Sequence, residues 1–106
     1  MTDLEMVKLC AKAMGFKPSS KPRHKGIYCR KGSYVVKFDP LQDDAQAMAL
    51  MKKMEMIVRA ELNIRTSEKY WSAMCPGIPT FWTKHGDLNR AIVECVAKMQ
   101  MAKATA

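Results

Sequence analysis

The feature that most constrains this chain is a change of hydrophobic period in its second half. From residue 56 to residue 65, Met56, Val58, Ala60, Leu62 and Ile64 alternate with Ile57, Arg59, Glu61, Asn63 and Arg65. A period of two places the first set on one side of an extended chain, so the segment predicts a strand over 56–64 with one buried face. The flanking stretches keep a helical period instead. Ala47, Leu50, Met51 and Met54 precede the strand, and Leu88, Ala91, Ile92, Cys95, Val96 and Met99 follow it at intervals of three and four. A chain that switches period in this way folds as neither an all-helical bundle nor an all-β barrel.

Local signals set the expected element ends. Thr2-Asp3-Leu4-Glu5 is a capping box, and Leu4, Val7, Cys10, Ala11 and Met14 continue it as one stripe, predicting a helix over 3–14. Gly15 suits the left-handed residue beyond that helix, and Phe16 folds back on its last turn. Asp39-Pro40-Leu41-Gln42 predicts a second helix over 40–54 with Asp39 as its cap. Its acids, Asp43 and Asp44, lie early and its Lys52 and Lys53 late, which matches the helix dipole. A third helix is expected over 87–102, capped by Asp87, with 102–106 as a frayed tail. Ile27–Arg30 and Tyr34–Phe38 read as a hairpin around Lys31-Gly32, after a basic, proline-interrupted loop within 17–33. Tyr70–Met74 returns antiparallel to the 56–64 strand, and Thr80–Thr83 forms a short edge strand or an ordered loop. The expectation is a single α+β domain spanning 1–106, a sandwich of about three helices packed on a mainly antiparallel sheet.

Charge is concentrated in the first third. The chain carries a net charge of +8, yet no acid occurs between Glu5 and Asp39. That window holds Lys8, Lys12, Lys17, Lys21, Arg23, Lys25, Arg30, Lys31 and Lys37, leaving the rest of the chain close to neutral. A localised cationic region favours polyanions or acidic protein surfaces; the plainer alternative is a solvated basic loop. No apolar run approaches the roughly 18 residues of a membrane span. The N-terminus lacks a basic-then-apolar signal pattern. A cytoplasmic protein with no membrane partner is expected.

Catalytic and metal chemistry find little support in the spacing. Cys10, Cys29, Cys75 and Cys95 form no close ligand pair, and neither His24 nor His85 stands at a metal-ligand interval from them. Cys10 and Cys95 fall on helical apolar faces and read as small hydrophobes. Asp39 and Asp87 are accounted for as caps and Asp43-Asp44 as first-turn carboxylates, so no general acid, base or nucleophile is left with a partner. The expectation is a protein that is not an enzyme, with no metal, cofactor or small-molecule substrate.

Phe38-Asp39-Pro40-Leu41-Gln42-Asp43-Asp44-Ala45-Gln46-Ala47-Met48, then strands, then Asp87-Leu88-Asn89-Arg90-Ala91-Ile92-Val93-Glu94-Cys95, resemble the phage ABA-sandwich family over most of 34–100. The resemblance implies an α/β/α-type sandwich encoded by a tailed phage or prophage and expressed in a bacterial host cytoplasm. It implies no activity. The basic stretch at 17–33 departs from the family pattern.

Two binding classes follow. Lys17, Lys21, Arg23, Lys25, Arg30, Lys31 and Lys37 form the candidate partner-binding set, with Tyr28 or Tyr34 available for stacking. No helix-turn-helix, zinc-finger or RNA-recognition signature accompanies them, so nucleic-acid binding would be blind to sequence. The other class is docking on a protein with an acidic surface. Small phage accessory proteins commonly work so, against host nucleases and CRISPR complexes, an expectation that comes from the resemblance. Tyr70, Trp71 and Trp82, around the Cys75–Pro79 loop, are the secondary interface candidates. The methionines at helical spacing read as core or as an adaptable surface.

Overall fold

In the computed structural model, residues 1–18, 27–31, 34–77 and 81–105 are described. Helix α1, Asp3–Ala13, starts as its capping box dictates. The Glu5 amide donates to the Thr2 hydroxyl at 3.2 Å, and the Thr2 amide donates to the Glu5 carboxylate at 3.0 Å. Past its end, Gly15 takes φ +77°, and the Phe16 amide closes back on the Ala11 carbonyl at 2.9 Å.

Helix α2 corrects the expected start. It runs Asp44–Lys53, not 40–54, and its cap is Asp43, whose carboxylate accepts the Gln46 amide at 3.1 Å. Asp39 instead closes a separate turn, its carbonyl accepting the amides of Gln42 and Asp43 at 3.1 and 2.9 Å. The cause is the Gln46 side chain. It accepts the Asp39 amide at 2.6 Å and donates to the Lys37 carbonyl at 2.7 Å, holding the entry as a turn while Pro40 is buried. Glu55 ends α2 with φ 51°, a left-handed residue without the freedom of glycine, and the Met56 amide returns to the Met51 carbonyl at 3.0 Å.

Two three-stranded antiparallel sheets accompany the helices. The first orders β1 (Lys17–Pro18), β2 (Ile27–Lys31) and β3 (Tyr34–Phe38), so Lys17 and Pro18, expected in a loop, form a short strand against Arg30 and Cys29. The second orders β4 (Ile57–Leu62), β5 (Lys69–Cys75) and β6 (Phe81–His85), with Phe81–His85 as the edge strand. The β4–β5 turn is built by Asn63, whose amide donates to the Glu68 carbonyl at 2.8 Å and whose side chain accepts the Arg65 amide at 3.0 Å.

Helix α3, Leu88–Thr105, starts where Asp87 accepts the Arg90 amide at 3.2 Å and extends beyond the expected 102. It is the centre of the fold. Ala91, Ile92, Cys95 and Val96 form the expected stripe, and Val93 and Ala97 are also fully buried, because α1 packs on one side and β5 and β6 on another. Arg90 ties α3 to the start of α1 through Asp3 at 2.8 Å, and this hydrogen bond holds Asp3 below the usual carboxylate range. Buried Asn89 links α3 to α2 by donating to Asp44 at 2.8 Å. The result is the expected α+β domain, with its strands divided between two sheets. Among the described residues, no helix is long and apolar enough to cross a membrane.

Candidate interaction surface

The first sheet sorts its residues by strand alternation. Ile27, Cys29 and Phe38 are buried on one face, and the Phe38 and Phe16 rings pack edge to face with centroids 5.4 Å apart. The positions of Lys17, Tyr28, Arg30 and Lys37 share the opposite face, because Lys17 pairs with Arg30 and Tyr28 with Lys37. Lys17 and Lys37 are exposed there. Lys31, opposite Tyr34 in the register, stands at a position of the buried face, so the strand separates it from Arg30. Lys21, Arg23 and Lys25 lie outside the described residues. The candidate set is therefore split: three of its cationic positions share one sheet face.

The second sheet has one covered and one open face. Ala73, Cys75 and Thr83 are buried against α3, and the Thr83 hydroxyl donates to the Ala91 carbonyl at 2.5 Å. Three thiols gather on this covered side. Cys95 lies 3.5 Å from Cys75, and Cys10 donates to the Val93 carbonyl at 3.5 Å. Burial pushes the Cys10 thiol up to about 12, and the hydrogen bond shared with Cys95, then burial, push Cys75 up as well. Cys10 and Cys75 therefore stay protonated near neutrality and are poor nucleophiles. Among the described residues, no group of three or more His, Cys, Asp or Glu is placed to hold a metal.

On the open face, Ile57, Met74 and Trp82 stand side by side across β4, β5 and β6. Ile57 is 48% exposed and Trp82 52%. The next row is Arg59, Ser72 and Lys84, and Lys84 reaches over the Tyr70 ring at 5.6 Å. An apolar row beside two cations is a surface that a protein partner can cover. Tyr70 and Trp82 thus share the open face, whereas Trp71 lies on the covered one, packed against the core. Ile57 and Met74 belong to this surface and escape a search of the sequence for aromatic residues; the register that aligns them with Trp82 is the only signal.

A third feature is an apolar cleft of about 270 Å³ between α1, the first sheet and α2, lined by Met14, Phe16, Cys29, Phe38 and Ala49. Its one amide, Gln46, is already bonded to Asp39 and Lys37. Comparison with family models, with curated proteins and with solved structures finds no match.

Proposed function

We propose that this chain is a non-catalytic binding protein that acts by stoichiometric association with a protein bearing an acidic surface. The observation that carries this reading is the face of the first sheet shared by Lys17, Arg30 and Lys37, inside a window that contains no acid. Cations grouped on an ordered sheet face speed encounter with a negatively charged partner and fix its orientation. The open row of Ile57, Met74 and Trp82 supplies a desolvating contact of the kind that retains a partner after encounter. The resemblance to the phage ABA-sandwich family extends this proposal to a phage accessory protein in a bacterial cytoplasm. Its partner would then be a host protein involved with nucleic acid, such as an antiphage nuclease or CRISPR complex.

The experiment is capture from bacterial lysate, with and without nuclease, by the wild-type chain and by the Lys17→Glu/Arg30→Glu/Lys37→Glu variant. The expected result is a partner retained after nuclease treatment and lost with the variant, with association rather than dissociation most affected. Capture abolished by nuclease assigns the face to sequence-independent DNA or RNA binding, with a salt slope that flattens in the variant. Capture unchanged in the variant removes the cationic face from the mechanism.

A further inference from the structure

The second sheet ends in an open edge, and its chemistry matches itself. In the β4–β5 ladder, the Asn63 amide donates to Glu68 on the β5 side. Bonding direction in an antiparallel pair repeats every second residue, so Ile57, Arg59 and Glu61 turn their backbone groups towards β5. Val58, Ala60 and Leu62 turn theirs to the free edge. The register from Ile57↔Met74 to Leu62↔Lys69 is continuous, so no bulge disturbs this phase. Among the described residues, β5 is the one strand bonded to β4.

The charges on this edge, Arg59 and Glu61, are of opposite sign, and neither proline nor a bulge interrupts it. β1 is two residues long and contains Pro18, and β6 carries Lys84, whereas β4 has six residues with neither proline nor lysine. We propose that β4 pairs antiparallel with β4 of a second copy of this chain, about a two-fold axis at Ala60, joining two second sheets into one of six strands.

Charge selects that register. With Ala60 opposite Ala60, Arg59 of each copy faces Glu61 of the other, and Leu62 faces Val58. The outward-bonding residues then meet one another, as ladder hydrogen bonds require. Sliding by one bonding repeat in either direction sets Arg59 against Arg59 or Glu61 against Glu61, and like charges directly opposite are destabilising. Within one chain, Arg59 and Glu61 stand 4.0 Å apart with side chains 66% and 34% exposed, a loose pair, and Glu61 also accepts the Ser72 hydroxyl at 3.4 Å. Leu62, 56% exposed, gains cover from half-buried Val58 of the second copy.

Sedimentation equilibrium of the full chain from micromolar to millimolar concentration tests this. Wild type forms a two-chain species. Arg59→Glu and Glu61→Arg, each alone, place one sign of charge along the joint and remain single chains. Mixed together, these two variants pair opposite charges throughout and form a heterodimer. Ala60→Pro removes an outward donor without touching the β5 ladder, so the monomer keeps its fold and association weakens about tenfold or more. Amide exchange supplies a residue-level reading: Val58, Ala60 and Leu62 become protected as concentration rises, while Arg59 and Glu61 are protected throughout. A wild-type chain that stays single, a dimer that survives both charge variants, or mixed variants that fail to associate would overturn the proposal. None of these outcomes bears on the cationic face of the first sheet, whose test is separate.

Discussion

The two sheets have the same strand number and the same antiparallel pairing, yet they face water differently. In the first, the inner face closes over Ile27, Cys29 and Phe38, and the outer face is defined by charge. In the second, α3 packs chiefly over β5 and β6, and on that same side β4 keeps Ala60 exposed and Leu62 about half exposed. A strand in a sheet is thus not automatically a core strand. What buries it is the helix above it, and α3 packs over β5 and β6.

The contrast can be broken most severely from the covered side. Phe38→Ala removes a ring that is 3% exposed and its edge contact with Phe16, and is expected to cost about 3–5 kcal/mol. Urea unfolding measures this; a loss under about 1 kcal/mol would mean that the first sheet is no better packed than the second. A second effect, smaller for each pH unit, sharpens the same boundary. Cys10 is held protonated by burial, so its folded value, about 12, lies above the 9.0 of an unperturbed thiol. The stabilisation is complete below the unfolded value and is lost as pH rises towards the folded one. Between those limits the wild type should lose about 1.4 kcal/mol of stability per pH unit more than Cys10→Ala. Parallel pH profiles for the two proteins would deny the thiol its buried place.

The smallest effect belongs to the open face. Trp82→Ser and Ile57→Ser should each cost only about 1 kcal/mol of stability, because both residues are already half in water. Partner retention should nevertheless fall, chiefly through faster dissociation. A stability loss comparable with that of Phe38→Ala would show that this face is covered after all.

Sequence made some of this legible and hid the rest for physical reasons. The starts of α1 and α3 could be read because cap and acceptor lie within three residues, as Thr2 with Glu5 and Asp87 with Arg90. The start of α2 could not, since Asp39 and Asp43 are both good caps and the choice rests on where the Gln46 side chain reaches. The 56–64 alternation revealed a strand, but its apolar face is covered only near Met56 and Val58; Ala60 and Leu62 extend past the cover of α3, and Ile64 is 90% exposed. The cationic window was legible as composition. Its division was not, because Arg30 and Lys31 are adjacent residues that strand geometry places on opposite faces. The same alternation separates Tyr70 from Trp71, neighbours in sequence that join different faces.

The contact of α1 with α3 also governs when the molecule can become whole. Cys10 meets Val93, and Asp3 meets Arg90, across more than eighty residues of chain. Long-range closure of this kind is slow, because most of the chain must be ordered before the contact rewards it. During synthesis the apolar side of α1 therefore waits, without its partner, until α3 has left the ribosome. Truncation within α3 removes the surface on which the first helix closes, so a nascent chain stopped there stays exposed to chaperones and proteases.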